Sequence, residues 1–238
     1  MTEFKKRLKS TFPALYGFVK TAYYTGSKVL LGKPRHEIAF NRIYRTNAWG
    51  DEETHSGAGS NTLNTVVIRQ KLPPLLKELG VRTILDIPCG DFFWMKDLRL
   101  DVEEYIGADI VKDLITTNRK KFEIPGRTFV VLDLLSDILP MVDLILCRDC
   151  LPHFSNDDIK RAFNCMKRSN SRYVLTSTYT SRNENPHIVT GGFRPLNLRI
   201  APFNFPEPIV IFNEHCVYGN GLYLDKSLGL WEIKNLPE

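Results

Sequence analysis

Short runs of consecutive apolar residues, several ending in an acid, recur through the middle of this chain and alternate with stretches of helical spacing. Runs at 83–86, 104–109, 128–132, 142–147 and 173–177 are of strand length and lack the polar alternation of a half-exposed sheet, so they predict strands buried on both faces. Helices are predicted over 36–45, 111–122 and 156–168. A further helix is expected after Ser60 or Asn61, with Leu63, Val66, Val67, Leu72, Leu75, Leu76 and Leu79 on its buried face and a break at Pro73 and Pro74. Strand and helix alternation of this kind gives an α/β fold, a mostly parallel sheet with helices on both faces. Two last runs, 208–212 and 228–233, have no long helix between them and predict an antiparallel pair at one edge, bringing the sheet to seven strands.

The length of 238 residues suits one large domain, and apolar content of 43% with 25% charged residues is ordinary for a globular chain. No apolar run reaches the roughly 18 residues of a membrane-spanning helix. Charge changes the picture at one place. Residues 1–35 hold eight basic residues (Lys5, Lys6, Arg7, Lys9, Lys20, Lys28, Lys33 and Arg35) against Glu3, a net +7, whereas the whole chain carries +5 and the remainder is therefore about −2. Phe4, Leu8, Phe12, Leu15, Phe18, Val19, Ala22 and Tyr23 recur there at helical spacing. This segment reads as a basic amphipathic helical extension that either packs on the body or lies on an anionic membrane surface, followed by the domain proper at 36–238. Lys20 and Lys28 interrupt its apolar stretch, which argues against a signal peptide. Of the five cysteines, Cys147 and Cys150 are spaced as Cys-x-x-Cys, yet no second pair completes a zinc site; reduced thiols and a cytoplasmic protein are expected.

The run Thr83-Ile84-Leu85-Asp86-Ile87-Pro88-Cys89-Gly90-Asp91 places an acid and a tight turn at a strand end, where a nucleotide-type cofactor site begins in an open α/β sheet. Nineteen residues beyond Gly90, the next run ends at Asp109, with Ile110 beside it, at the spacing where a carboxylate meets ribose hydroxyls. A dinucleotide pyrophosphate wants a glycine-rich turn. Here one glycine stands between Asp86 and Asp91, and two carboxylates repel phosphate but attract a cation. S-adenosylmethionine offers an amino group and a sulfonium instead. The segment resembles the first motif of the class I S-adenosylmethionine-dependent methyltransferases, Asp-x-Gly-x-Gly-x-Gly, in a Pro-Cys-Gly form in which Pro88 and Phe92 occupy two glycine positions. The resemblance implies the seven-stranded Rossmann-like sheet of that family, with Asp86, Pro88, Cys89, Gly90, Asp91, Asp109 and Ile110 around the cofactor. It further implies that Asp133 accepts from the adenine amino group while the Leu134 amide reaches the ring. Taken alone, Asp133 reads equally as the N-cap of a helix starting near Ser136.

Further along, Arg148, Asp149 and His153 follow the fourth apolar run and are brought to the same sheet edge. His153 is the candidate general base for methyl transfer to an alcohol, oriented by Asp149 or another carboxylate. The alternative is a divalent magnesium or manganese ion held by Asp149, His153 and Asp133; no carboxylate cluster of ligand spacing is visible, so no metal ligands are expected. The loop Ser56-Gly57-Ala58-Gly59-Ser60 can offer amides and hydroxyls to the methionine carboxylate, with Ser56, Gly57 and Ser60 as contacts and Trp49 as a lid; a plain surface connector is the other reading. From 179 to 208 the chain loses periodicity but keeps polar groups and prolines. Asn183, His187, Arg194 and Asn197 are the candidate acceptor contacts, suited to a hydroxyl-rich ring.

The wider pattern, Ser-Gly-x-Gly-Ser, Asp-Ile-Pro-Cys-Gly-Asp-Phe-x-Trp-Met, Arg-Asp-Cys-Leu-x-His and Arg-x-Leu-Asn with Pro-Phe, resembles a group of these methyltransferases associated with surface-glycan biosynthesis. It implies an O-methyltransferase acting on a sugar hydroxyl of a glycan or glycolipid, at the cytoplasmic face of a membrane if the extension anchors it. Other small molecules or lipids as acceptors, and a non-catalytic cofactor-binding adaptor, are the competing readings. Nucleic acid is disfavoured as a partner, because the basic surplus is confined to 1–35 and no Asn/Asp-Pro-Pro-Tyr/Phe motif is present.

Overall fold

The central parallel strands are buried on both faces, which is why their sequences read as unbroken apolar runs, whereas in the edge strand at 127–131 only Phe129 is buried. The computed structural model describes residues 36–237; the basic extension and its amphipathic pattern lie outside the described residues. Seven strands, β1 (Thr83–Asp86), β2 (Glu104–Asp109), β3 (Arg127–Val131), β4 (Leu144–Cys147), β5 (Tyr173–Tyr179), β6 (Val210–Asn213) and β7 (Lys226–Glu232), form one sheet in the order β3-β2-β1-β4-β5-β7-β6. The first five run parallel. β7 is antiparallel to both β5 and β6, as the missing helix between the last two runs predicts.

Alternate residues of each central strand feed two cores. Ile84, Leu144, Leu146 and Leu175 face α2 (Val66–Leu79) and α3 (Lys112–Phe122), while Leu85, Ile145 and Val174 face α4 (Asn156–Arg168). α4 shows why its boundaries were readable. Ser155 caps it by accepting from the Asp158 amide, and Ile159, Phe163 and Met166 form its buried stripe. A first helix, α1 (His36–Arg45), lies ahead of the sheet, and Phe40 packs on both cores.

Three expectations need correction. α2 begins at Val66, after turns at Ala58–Ser60 and Leu63–Thr65, so Leu63 and Val66 are exposed and Ile68 is buried instead. It also runs unbroken through Pro73 and Pro74. Neither proline is buried, and the residues four before them, half-buried Arg69 and exposed Gln70, are on the outer side of the helix, where water can replace the hydrogen bonds that proline cannot donate. Finally, the crossovers at 87–103 and 132–143 contain turns but no α-helix. In the first, Phe92 and Trp94 are both buried although they would point about 200° apart on a helix of 3.6 residues per turn. Turns starting from Phe92 at φ 60° bring both rings inward.

In the order β3-β2-β1-β4-β5 the chain changes direction between β1 and β4. That switch point opens a crevice at the carboxyl ends of the strands, above Asp86 and Cys147.

Candidate functional site

A cleft of about 1020 Å³, its open mouth included, occupies this crevice. Its walls bring together fourteen of the residues singled out from sequence: Trp49, Ser56, Ser60, Asp86, Pro88, Cys89, Gly90, Asp109, Ile110, Asp133, Leu134, Arg148, Asp149 and His153. Asp91 and Gly57 do not line it. Nor do Asn183, His187, Arg194 or Asn197.

The floor is the turn after β1. Gly90 sits at φ 55°, and a Cβ there would lie 2.2 Å from Ser56 Oγ, so glycine is required both for the backbone and for the glycine-serine loop to close on it. That loop is held by Asp91. Its carboxylate accepts from Thr54 Oγ1 at 2.9 and 2.8 Å, from the His55 amide at 2.8 Å and from Ser56 Oγ at 3.0 Å, while its own amide donates to Ser56 Oγ. Asp91 is thus a clamp between two cofactor loops rather than a wall of the cleft. Gly57 has a similar supporting place: a Cβ there would stand 3.0 Å from Trp49 Cβ, so its bareness lets the indole settle against the loop.

Two buried acids face the cleft from the ends of β1 and β2. Asp86 accepts a short hydrogen bond from the Tyr105 hydroxyl, and burial raises its carboxyl to about 7 against the opposing effects of that bond and of Arg148. Burial likewise raises Asp109 to about 6, although the Val111 amide donates to it at 2.9 Å and the Gly90 amide at 3.3 Å. A cationic ligand would favour the ionised form of both. Asp133, after β3, lines the opposite wall but has local partners, accepting from the Leu135 amide at 2.9 Å and Ser136 Oγ at 2.8 Å. It also lies 2.6 Å from His36 Nε2. Burial would raise it, yet these partners hold it below the ordinary carboxylate range. Asp133 thus borders the cleft and closes a turn, and no helix follows it as the capping reading expects.

The β4 edge departs most from expectation. Asp149, in the left-handed region at φ 54°, pairs with Lys226 Nζ at 2.6 Å and Arg148 at 3.3 Å, with His153 a weaker electrostatic neighbour. Burial alone would raise its pKa, but these two cations hold it well below the carboxylate range. Arg148 and Lys226 also pair with the buried Glu214, at 2.7 and 3.2 Å, and Arg148 donates to the carbonyls of Gly59 and Asn64. Arg148, Asp149, Glu214 and Lys226 therefore form a neutral quartet, buried except at the half-buried Asp149, that joins the glycine-serine loop to β4 and β7. Since Asp149 is engaged with cations and Asp133 with His36, the ligand set envisaged for a divalent ion is not assembled. Among the described residues no three His, Cys, Asp or Glu side chains converge.

His153 ends a short turn, Leu151–His153, at the cleft mouth. Its Nδ1 lies 2.8 Å from the Gly192 carbonyl oxygen, which can only accept, so Nδ1 carries a proton; in the neutral imidazole the lone pair is then on Nε2. A backbone carbonyl supplies the orientation expected from a carboxylate. Its ring is flanked by Trp49 at 4.9 Å and Phe193 at 5.4 Å between centroids.

The 180–209 segment is ordered, but by its own polar groups. Arg194 is buried and donates to the Phe154 carbonyl and Asn156 Oδ1, both at 2.7 Å; burial pulls its guanidinium down to about 10. Asn197 bonds the Arg182 carbonyl and the Arg199 amide. Asn183 and His187 are exposed away from the cleft. What the segment gives the site is Gly192 and Phe193. Sequence reading also missed Glu214 and Lys226, and the wall formed by His36, Phe40, Ile43 and Tyr44. The latter was signalled by apolar residues at helical spacing in 36–45. A lysine opening an apolar strand was the only local hint of the quartet.

No protein-family model matches the chain, and no curated protein is similar to it. Solved structures are. The N-methyltransferase NodS from Bradyrhizobium japonicum WM9 is 13% identical over 75% of this chain and 99% of its own, with a TM-score of 0.54. Magnesium protoporphyrin IX methyltransferase ChlM from Synechocystis PCC 6803, with bound SAH, is 13% identical over 62% of this chain and 74% of its own, with a TM-score of 0.49. The likeness to NodS is one of fold: the chain has the seven-stranded, Rossmann-like class I methyltransferase fold.

Proposed function

We propose that this protein is an S-adenosylmethionine-dependent O-methyltransferase whose acceptor is a sugar hydroxyl. The observation that carries the reading is His153, its Nδ1 held on the Gly192 carbonyl, in the wall of a cleft floored by two buried acids. The cleft suits the cofactor. Asp86 and Asp109 favour a cation, Asp109 is placed for ribose hydroxyls, and the apolar wall of Phe40, Ile110, Leu114 and Leu134 suits adenine. When bound, S-adenosylmethionine supplies an electrophilic methyl group. The protein's own part is to hold the acceptor hydroxyl at His153 Nε2, take its proton as the bond to carbon forms, and exclude water with Trp49. Trp49 and Phe193 flank that position with the apolar faces on which a pyranose ring stacks.

The decisive experiment transfers labelled methyl groups from S-adenosylmethionine into fractionated cellular glycans, lipids and RNA. Label recovered in O-methyl sugars after acid hydrolysis is expected. Label in RNA, or in lipid lacking sugar, would replace the acceptor assignment, and cofactor binding with no transfer to any fraction would make the chain a binding adaptor. A cytoplasmic location goes with this reading; among the described residues no helix is long and apolar enough to cross a membrane.

Two further results follow for the cofactor. Asp109→Ala should weaken S-adenosylmethionine binding by about 1.5–3 kcal/mol for each charge-assisted hydrogen bond removed. Titration calorimetry on the folded variant is the check, and unchanged affinity would take Asp109 out of the site. The second concerns pH. Asp86 and Asp109 have folded pKa values of about 7 and about 6, above the roughly 3.9 of an unfolded aspartate. Their contribution to stability is therefore full at pH below about 4 and is lost as pH rises through 6 to 7. A cationic ligand reverses the preference. Affinity should rise at least about tenfold from pH 5.5 to pH 8, with proton release on binding, since one unit of pKa corresponds to a tenfold effect. A flat profile, or one unaltered by Asp86→Asn, would contradict the assignment of these acids to the cation.

A further inference from the structure

The carbonyl that orients His153 belongs to a segment with little stiffness of its own. Gly192 follows Gly191, which sits at φ 95° where a Cβ would meet Ala39 Cβ at 3.1 Å, and two successive glycines leave the backbone free to turn. The direction of the Gly192 carbonyl must therefore be fixed from either side. On the near side, Thr190 Oγ1 accepts from the Ser155 amide at 2.9 Å, and the Gly191 amide donates to the His153 carbonyl at 2.8 Å. On the far side the tie is Arg194. Its amide donates to the Pro152 carbonyl at 3.1 Å, and the two ends of its guanidinium reach the Phe154 carbonyl and Asn156 Oδ1, both at 2.7 Å. These acceptors stand immediately before and after His153 and at the first residue of α4. Arg194 is 3% exposed, and among the described residues no acid offsets its charge and its Nε makes no hydrogen bond. Burying such a cation costs stability that an apolar side chain of similar size would not. Nor does Arg194 line the cleft, where it could hold a ligand. What it supplies is a planar fork that fixes two acceptors at once with charge-assisted bonds.

We infer that Arg194 is a positioning residue for His153: by tying the chain just after Gly192 to the His153 turn and to α4, it holds the Gly192 carbonyl on Nδ1. The neutral imidazole is thereby kept in the tautomer whose Nε2 can take the acceptor proton. This rests on the proposed role of His153 as general base and identifies the side chain that maintains it. A ring nitrogen carries or lacks its proton according to the bond the other one makes. Without an acceptor at Nδ1, a neutral imidazole in water carries its proton mainly on Nε2, and in that form Nε2 has no lone pair to offer a hydroxyl.

The test uses the full chain with isotope-labelled histidine and bound S-adenosylhomocysteine, and reads the two ring nitrogens of His153 by NMR at alkaline pH, its signals assigned by their loss in His153→Ala. In the wild type the proton is expected on Nδ1. Arg194→Met keeps the bulk of the side chain without the fork and should move the proton mainly to Nε2. Methyl transfer into a saturating cellular glycan fraction should fall by about 10²-fold, the cost of a misplacement of about 1 Å. Calorimetric affinity for S-adenosylhomocysteine should stay the same, because Arg194 does not line the cleft. Arg194→Lys can reach one of the two acceptors and should lie between. Asn197→Ala loosens the same segment at the Arg182 carbonyl and the Arg199 amide, away from His153, and should leave both readouts at wild type. An Nδ1 proton retained in Arg194→Met overturns the inference, whatever the rate. So does a tautomer change of equal size in Asn197→Ala, which would make it a general loosening. A shifted proton with a rate within a few-fold of wild type upholds the positioning and counts against His153 as the base. The tautomer readout needs no acceptor, so it stands even where no methyl transfer is found. Should Arg194→Met not fold, the same readouts on Arg194→Lys decide, and wild-type values in both overturn the inference.

Discussion

His153→Ala is expected to lower turnover by about 10²–10⁴-fold, the range for loss of a positioned general base, with affinity for S-adenosylmethionine nearly unchanged. The split follows from geometry. The acids on the cofactor side, Asp86 and Asp109, stand at the ends of β1 and β2, whereas His153 belongs to the turn after β4 and is oriented from the 189–194 segment. A second substitution, His153→Gln, separates orientation from basicity: the amide side chain can donate to the Gly192 carbonyl but cannot take up a proton at neutral pH. It should be nearly as impaired as the alanine variant. A rate within a few-fold of wild type at saturating acceptor, for either substitution, would exclude the general-base role. Chelator treatment should change nothing, because Asp149 is engaged with Lys226 and Arg148 and Asp133 with His36. Activity abolished by chelation and restored by magnesium would overturn that account.

The parts of this site that could be read from sequence are those set by local pattern. Asp86, Gly90 and Asp109 belong to apolar runs whose period fixes the strand, whose ends lie at one edge of a parallel sheet, and whose positions follow once β1 and β2 are placed. The strands were legible because burial on both faces leaves no room for polar residues. What could not be read is how each acid is partnered. Asp91, Asp133 and Asp149 all stand just beyond strand ends, yet their partners are Thr54, His36 and Lys226, separated from them by 37, 97 and 77 residues. Nothing in a local window encodes such pairings. The same holds for 180–209: its amides and arginine suit a sugar by composition, but Arg194 and Asn197 turn inward to satisfy backbone groups that an irregular buried segment must otherwise leave unpaired. The helix boundary at Val66 was missed for a different reason. Asn61 does cap a turn, accepting from the Asn64 amide, but the turn is a 3-10 one and α2 starts only after it.

Lys226→Met is expected to destabilise the fold by about 3–5 kcal/mol, the cost of breaking a buried ion pair from one side. The substitution keeps most of the side chain's volume, so packing changes little. Charge changes more: buried Glu214 and half-buried Asp149 keep Arg148 as their one remaining cation in the quartet. Urea denaturation near pH 7 measures the loss. Adding Asp149→Asn restores neutrality and should recover part of it, so the double variant is expected to be more stable than the two single effects added together. Strict additivity, or a loss below about 1 kcal/mol for Lys226→Met alone, would show that the quartet is not coupled in this way. The effect should reach function through structure. Arg148 holds the Gly59 and Asn64 carbonyls, and a Cβ on Gly59 would lie 2.7 Å from Asp149 Oδ2, so the quartet fixes the glycine-serine loop against β4. Loosening it frees the wall that Ser56 and Ser60 contribute to the cleft. Lys226→Met should therefore weaken cofactor binding as well as stability, whereas His153→Ala lowers turnover alone. That contrast distinguishes a residue that builds the site from one that acts in it.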